Sequence, residues 1–369
     1  MSKFQLKSIA HQIKFAILSA CIALTATHAY ACTGIILSSE DGTVVPARTM
    51  EFGVDIQSDL YAVPAGTEIK TLQANPDQEG FTFETKYGFV GANGFGYPII
   101  LDGMNTEGLY FGAFYFAGDA VFGEVSDENR DRAVSSDELG NWILGNFKNV
   151  EDIREAIKTI ELVGSYIDVI GGFAPLHFSV VDAFGGAVVI ESTASGLKIF
   201  ENPVGVITNN PTYDWHLTNL RNYIGLRSEN REAITVGDLN LSAFGEGTGM
   251  LGLPGDYTAP SRFVRAAAFV ETALPTQTAD ETVFQAFHIL NAFDIPKGAV
   301  RAPTPEGVHT DYTIWTSAAD TKNGTYYFKT YLSQAVQGIT VANALEGLDA
   351  PKFITSETGF NVTDRTNDF

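Results

Sequence analysis

Cysteine is nearly absent from this chain: its 369 residues hold two, Cys21 and Cys32. Cys21 falls in an N-terminal segment that reads as removable, so the remaining chain has one thiol and no means of closing an internal disulfide. Basic residues are also scarce, with 23 Lys and Arg against 44 Asp and Glu. Without residues 1–31, which hold Lys3, Lys7 and Lys14 and no acid, 20 stand against 44 and the net charge is −24. A surface of that sign repels phosphate backbones and anionic lipid, so nucleic acid is not an expected partner. Long apolar runs are missing too. The N-terminal one, 15–26, is 12 residues long, well short of the ~20 a helix needs to cross a bilayer, and no later stretch is longer and apolar enough; no membrane span is expected. Of the histidines outside residues 1–31, namely His177, His216, His288 and His309, no two stand at ligand spacing, and no second cysteine completes a zinc set. No metal and no cofactor is therefore expected. There is no Pro/Ser-rich linker, no repeat and no low-complexity tract, and residues 32–369 are expected to form a single domain.

What is present starts with the stretch "HAYACTGI" at 28–35. Lysines, an apolar run and then Ala29-Tyr30-Ala31 form a secretory signal peptide over residues 1–31, cut after Ala31. This predicts a periplasmic or secreted bacterial protein whose first residue is Cys32. Two bland readings of that cysteine stand beside the chemical one. It is a lipidation site in bacterial lipoproteins, which makes a non-enzymatic periplasmic lipoprotein or binding protein the remoter alternative, although Ala29 occupies the place where that machinery wants a leucine-like residue. It is also a small hydrophobe that cores commonly bury. The chemical reading is that cleavage frees an α-amine, reference pKa about 8, on the same residue as a thiol of about 8.5. Base and nucleophile then share one residue.

With 36 glycines and 26 phenylalanines, the chain reads as many short strands and tight turns around a large apolar core, of mixed α and β class. "TGIIL" (33–37) and "TVVPARTM" (43–50) are apolar runs joined through Asp41-Gly42, a two-residue hairpin signal. Centring the hairpin there sets Cys32 opposite Glu51. Arg48 then points to the other face, unless Pro46 marks a bulge that corrects it. Val150, Ile153, Ala156, Ile157 and Ile160 recur at helical spacing behind an Asn149 cap. Residues 176–193 read as a hairpin turning at Gly185-Gly186, with 196–200 and 204–208 continuing the meander. Ser261 is the expected cap of a helix beginning at Arg262, and 325–332 is a further strand.

"CTGIIL", "ARTMEFG", "ITNNPTYDWHLTNLRNY" and "GLPGDYTAPSRFVRAA", in this order, resemble the choloylglycine hydrolases, N-terminal-nucleophile cysteine amidases that include penicillin V acylases and bile salt hydrolases. The resemblance implies an α+β fold, a four-layer αββα Ntn-hydrolase sandwich of two antiparallel sheets between helical layers. It implies Cys32 as nucleophile, Arg48 as the group that stabilises its thiolate, and Glu51 where the family usually has an aspartate holding the α-amine. It further implies Asn209 as an oxyanion-hole amide, Arg262 near the reaction centre and Arg265 as structural. "GLYFGAFYFAGDA" (108–120) places Tyr115 where bile salt hydrolases typically have asparagine and many penicillin V acylases tyrosine, its backbone N–H completing the oxyanion hole. Read without the family, Asn209 is a turn residue before Pro211 and Tyr115 is core. The implied activity is hydrolysis of a linear side-chain amide C–N bond of a small N-acyl substrate. Penicillin V acylase, with acyl-homoserine lactone acylase activity beside it, is the leading expectation; bile salt hydrolase is the alternative. Phe52, Phe111, Phe114 and Phe116 are the expected sources of flat apolar surface for the acyl group, with strand alternation letting only some of them face the pocket, and a homo-oligomer, dimer or tetramer, is the expected assembly.

Overall fold

The computed structural model describes residues 31–369 apart from 73–79, 169, 305–306, 357–358, 360–362, 365 and 367–369; the signal-peptide expectation for residues 1–31 thus falls, but for Ala31, outside the described residues. Two antiparallel sheets carry the fold. The first has the order Val206–Ile207, Cys32–Ser38, Val44–Phe52, Gly307–Asp320, Thr325–Thr330, Gln337–Thr340, with Val300–Thr304 pairing the outer part of the long strand. The second runs Gly196–Glu201, Ala187–Thr193, Leu176–Val181, Tyr110–Tyr115, Ile100–Asn105, Phe89–Asn93, Leu60–Val63, Lys352–Ile354. Helices Ala259–Thr272 and Ala279–Leu290 pack on the first sheet, and helix Leu139–Asn146 on the second. These are the expected four layers. No helix among the described residues is long and apolar enough to cross a membrane.

The strand Val44–Phe52 is buried at all nine positions. It lies between two neighbours in its own sheet, with a helical layer over one face and the second sheet over the other. Its polar members therefore need partners inside the protein. One of its neighbours, Gly307–Asp320, carries a bulge between Thr313 and Trp315, opposite Glu51 and Met50; an extra residue there bends the strand beside the site.

The first hairpin corrects the expected register. Cys32 pairs with Met50, and Ser38 with Val44. The loop is not the two residues Asp41-Gly42 but three, Glu40 to Gly42, closed by the Ser39 N–H on the Thr43 carbonyl at 3.0 Å. Gly42 takes φ +85°, the left-handed residue that ends such a loop. The Asp41 carboxylate fixes the turn by accepting from Thr43 N–H at 3.0 Å and from the Thr43 hydroxyl at 2.7 Å. Shifting a register by one residue exchanges faces. Arg48 and Met50 thereby share a face with Cys32, and no bulge at Pro46 is needed. Pro46 stands in unbroken register opposite Ile36, one residue past Ala47, where pairing to the long strand stops.

Other expectations divide in the same way. Asn149 does cap Val150–Ala156, its side chain accepting from Asp152 N–H at 2.8 Å, but the helix gives way to a 3₁₀ turn before Ile160. The strands Leu176–Val181 and Ala187–Thr193 form the expected hairpin, with a loop from Asp182 to Gly186. Residues 204–208 do not continue that meander. Val206–Ile207 crosses to the first sheet and pairs with Gly34 and Ile35. Helix Ala259–Thr272 starts three residues ahead of the expected Arg262, behind Thr258 and with Pro260 in its first turn, where a missing N–H costs nothing. Ser261 instead donates to Asp256 at 2.7 Å.

Gly34 shows how tightly the layers meet at the site. A Cβ there would lie 2.7 Å from the Phe114 ring and 2.8 Å from an Ile207 methyl. Gly34→Ala is expected to lower the stability of the fold by about 1–3 kcal/mol through overpacking. Denaturant unfolding of the variant beside the parent checks this, and an unchanged midpoint would show that the strands can spread.

Candidate active site

Five of the six expected residues are fully buried and converge. Cys32, Arg48, Glu51, Asn209 and Arg262 are each at most 1% exposed, and Tyr115 is half-buried. Cys32 begins its strand, and its backbone nitrogen, a peptide N–H while Ala31 is attached, donates to Asn209 Oδ1 at 2.8 Å. That oxygen also accepts from Arg262 Nη2 at 2.6 Å. Arg262 Nη1 donates to the Cys32 carbonyl and, at 2.9 Å, to Thr33 Oγ1, while Nε donates to the Tyr257 carbonyl at 3.0 Å. Asn209 Nδ2 donates to the Tyr115 carbonyl at 2.8 Å. One amide side chain thus ties together the nucleophile's backbone, a buried guanidinium and the strand of Tyr115.

Arg48 approaches from the opposite face. Its guanidinium lies over the Phe114 ring, 4.1 Å from the centroid, and it donates to the Ala113 carbonyl. The Met50 thioether stands between thiol and guanidinium, its Sδ 3.9 Å from Cys32 Sγ and 3.7 Å from Arg48 Nη2. Burial pulls the Arg48 pKa down, but Cys32, Asp102, Tyr110 and Glu51 outweigh it and push it above its ordinary value. A permanent positive charge sits beside the thiol. Asp102 supplies part of the opposing charge and accepts from Ser317 at 2.7 Å, Tyr326 at 2.6 Å and Tyr110. Burial drives Asp102 upward, against the pull of Arg48 and these hydroxyls.

Glu51 is not paired with Cys32 in the sheet, which corrects the register argument for placing it at the amine. Its backbone carbonyl lies 3.9 Å from Cys32 Sγ. One side-chain oxygen accepts from Thr313 Oγ1 at 2.8 Å, and the other, Oε2, has no hydrogen-bond partner among the described residues. Burial raises its pKa to about 7, against the opposing influence of Arg262, Thr49, Thr313 and Arg48. Burial likewise lowers Arg262 to about 10, while Glu51 and Cys32 pull it back up. Glu51 and Arg262 are thus unequal partners that stabilise each other's charge without touching.

Several supports were not legible as functional. His216 Nε2 lies 2.9 Å from the Asn209 carbonyl, and the ring stacks on Phe263 with centroids 4.5 Å apart. Burial lowers its pKa to about 4, so the ring is neutral near pH 7 and donates from Nε2. His177 lies between Glu191 at 3.1 Å and the Thr208 carbonyl at 3.0 Å, immediately before Asn209. Only the negative signal, a histidine without metal spacing, was available for either. Arg265 holds the Pro254 carbonyl at 2.8 Å and covers Phe293, the structural part expected of it.

A cavity of about 40 Å³ opens on Cys32. Met50, Phe52, Phe95, Ala113, Tyr115 and Leu176 are among its walls, and the Phe52 and Tyr115 rings meet edge to face at 6.0 Å. Of the four phenylalanines expected there, only Phe52 lines it. Phe111 stacks on Phe178, Phe114 lies under Arg48 and Phe116 stacks on His177; alternation sets Phe114 on the face opposite Ala113 and Tyr115, Phe111 shares their face but lies further along the strand, and Phe116 follows the strand's end. A larger hollow of about 430 Å³ between Ile36, Pro203, Leu220 and Val264 includes none of the six residues.

The arrangement suits attack of a thiol on a carbonyl next to an apolar group, and comparison with known proteins agrees. The model of the choloylglycine hydrolase family, linear amide C–N hydrolases, matches residues 32–356. A bile salt hydrolase/transferase of Clostridium perfringens is 31% identical, covering 88% of this chain and 96% of its own. A penicillin V acylase of Pectobacterium atrosepticum is 25% identical, covering 82% and 79%. The crystal structure of a variant of the conjugated bile acid hydrolase from Clostridium perfringens superposes with a TM-score of 0.79 at 30% identity, over 90% of this chain and 99% of that one. The chain therefore belongs to the choloylglycine hydrolase family and is a linear amide C–N hydrolase of the Ntn type.

Proposed function

We propose that this amidase hydrolyses conjugated bile acid amides through an N-terminal Cys32 thiol. The observation that carries the reading is the apolar lining of the cavity that ends on Cys32, which suits an apolar acid whose amide carbonyl is presented to sulfur. The bile salt hydrolase relatives, more similar to this chain than the penicillin V acylase, support the choice of acid. Penicillin V is the second reading. Tyr115 supports it, because its ring and that of Phe52 narrow the cavity, and acyl-homoserine lactones belong with it as slender chains. At about 40 Å³ the cavity is smaller than a site that encloses a ligand, so lining side chains move when any of these acids binds.

In this reading Cys32 is released by cleavage after Ala31, in the periplasm or outside the cell. The freed α-amine takes the thiol proton, and the thiolate forms beside Arg48 and attacks the amide carbonyl. Asn209 Nδ2 has two hydrogens, one of them on the Tyr115 carbonyl, and the second serves the tetrahedral oxyanion with the Tyr115 N–H. The α-ammonium protonates the leaving amine, and water then hydrolyses the thioester. Glu51 Oε2, buried and unpartnered among the described residues, is the acceptor that the new ammonium group supplies with a donor. The hairpin Ile234–Val236 and Leu239–Leu241, whose Ile234, Val236, Leu239 and Leu241 are all exposed, supports assembly into a homo-oligomer.

Three outcomes are expected. Protein beginning at Cys32 is active, whereas a form keeping Ala31, or Cys32→Ala, loses at least about 10³-fold in kcat/KM; activity in the extended form would eliminate the amine as base. Glycocholate is expected to exceed penicillin V by about tenfold in kcat/KM, a difference of about 1.4 kcal/mol in transition-state binding. The reverse order, measured on the same preparation, would favour the second reading.

The third outcome concerns Glu51 and follows from linkage. Its folded pKa of about 7 exceeds the ordinary 4.5, so the folded state holds the proton more tightly. The resulting stability is complete below about pH 4.5 and lost as pH rises through 7, roughly 3 kcal/mol in all. In full-length Cys32→Ala protein, unfolding at pH 5 and pH 8 should show that loss, and Glu51→Gln should remove it. Equal pH dependence in both would refute the assignment.

A further inference from the structure

The cavity that opens on Cys32 contains one carboxyl group, and nothing in the chemistry above uses it. Asp137 lies between the strand Ala133–Ser135 and the helix Leu139–Asn146 and is 2% exposed. It lines the cavity together with Ile99, Leu101, Ile167, Ile170 and Ala174. Neither of its carboxylate oxygens has a hydrogen-bond partner among the described residues. Its neighbour Glu138 is equally buried but satisfied, accepting from the Leu72 N–H and from Ser135 Oγ, each at 2.6 Å.

The backbone around Asp137 is pinned. Ser136 N–H donates to the Val163 carbonyl at 3.1 Å, and Ser136 Oγ to the Ala174 carbonyl at 2.8 Å. The carboxyl is therefore held against an otherwise apolar wall, where leaving it unpaired is unfavourable. Ligand pockets characteristically combine an apolar lining with a few fixed polar groups that orient the ligand. We propose that Asp137 is a substrate-recognition residue of the acyl pocket, its carboxyl accepting a hydrogen bond from a hydroxyl group carried by the acyl portion of the amide. The proposal rests on the amidase reading of the Cys32 cavity and adds the class of acid: hydroxylated rather than purely hydrocarbon. Burial first, and the charge of Glu138 second, raise Asp137 to about 7, with Ser135 and its own backbone N–H pulling the other way. Whether protonated or ionised, the carboxyl retains a lone pair for an O–H donor. A site built this way discriminates strongly against the analogue lacking the hydroxyl, because that analogue leaves the carboxyl unpaired.

The test compares matched amides in protein beginning at Cys32: glycocholate with the glycine amide of 5β-cholanic acid, which has no ring hydroxyl, and 3-hydroxydecanoyl- with decanoyl-homoserine lactone. In at least one pair the hydroxylated member is expected to lead by about tenfold or more in kcat/KM. Asp137→Leu should lower that member by a similar factor and leave the other member unchanged or faster, with Asp137→Ala as the smaller replacement should leucine overpack. A purely structural Asp137 would slow both members alike, and that result, or a ratio unchanged in the variants, would overturn the proposal. If the parent cleaves neither pair, the amidase reading toward these acids fails. The subsite is then decided on Cys32→Ala protein by calorimetric titration with cholate and 3-hydroxydecanoate. Binding weakened about tenfold by Asp137→Leu sustains the subsite, whereas equal binding, or none, ends it.

Discussion

Asn209 Oδ1 is the atom on which the site depends. It accepts at once from the backbone nitrogen of Cys32 and from the guanidinium of Arg262, and the remainder of that side chain reaches the Tyr115 carbonyl. Because the oxygen faces two donors, the amide cannot flip, and Nδ2 is committed to the side where the second sheet meets the cavity. The direction of Nδ2, which the proposed oxyanion role requires, is imposed by the same contacts that hold the end of the first strand. His216, neutral and stacked on Phe263, fixes the backbone carbonyl of the same asparagine from behind.

Around that point the two buried arginines divide the work by strand parity. Arg48 and Met50 share the face of the Cys32 side chain, toward Phe114 and the second sheet, while Thr33 and Glu51 belong to the other set and meet Arg262 from the helix Ala259–Thr272. Placing both cations on one face would have set like charges together in a medium that screens poorly. Alternation along the hairpin separates them, and each meets its own carboxylate by field rather than by contact: Asp102 for Arg48, Glu51 for Arg262. Both carboxylates are displaced upward by burial, the expected cost of desolvating a charge.

Much of this was legible from residues alone. Apolar runs gave the strands, Asn149 the helix start, and the order of four motifs the fold; the five candidate residues read from those motifs and Tyr115, read from "GLYFGAFYFAGDA", lie together in the structure. What failed were quantities set by one or two residues. Asp41-Gly42 is a hairpin signal, but Ser39 and Thr43 bond to each other and lengthen the loop to three, which moved Cys32 from Glu51 to Met50 and made the suspected bulge at Pro46 unnecessary. The helix start was misplaced because Pro260 is favourable inside a first turn, so Thr258 rather than Ser261 precedes it. Val206–Ile207 is too short to declare its sheet, and only pairing with Gly34 and Ile35 assigns it. Asp137 in "SSDEL" reads as one more acid at a helix start, since sequence pattern is blind to a carboxyl turned into a cavity instead of toward solvent.

The same separation explains why similarity identifies the reaction more readily than the acid. Cys32, Met50 and Phe52 reach the cavity from the first sheet, which also carries Arg48, Glu51 and the strand leading into Asn209. The rest of the lining includes Phe95, Leu101, Ala113, Tyr115, Asp137 and Leu176, from the second sheet and the segments beside it. In the proposed mechanism, chemistry at the carbonyl draws on the first set and on the backbone N–H of Tyr115, since an amide carbonyl is alike whatever chain it bears. The side chains of the second set are those whose replacement changes the cavity's volume or adds a hydrogen-bonding group without moving sulfur or guanidinium. On the proposed reading the tyrosine at 115 and the buried carboxyl at 137 act in this way, the ring of one narrowing the cavity and the carboxyl of the other offering a hydrogen bond, while Asn209 and Arg262 hold the backbone of Cys32.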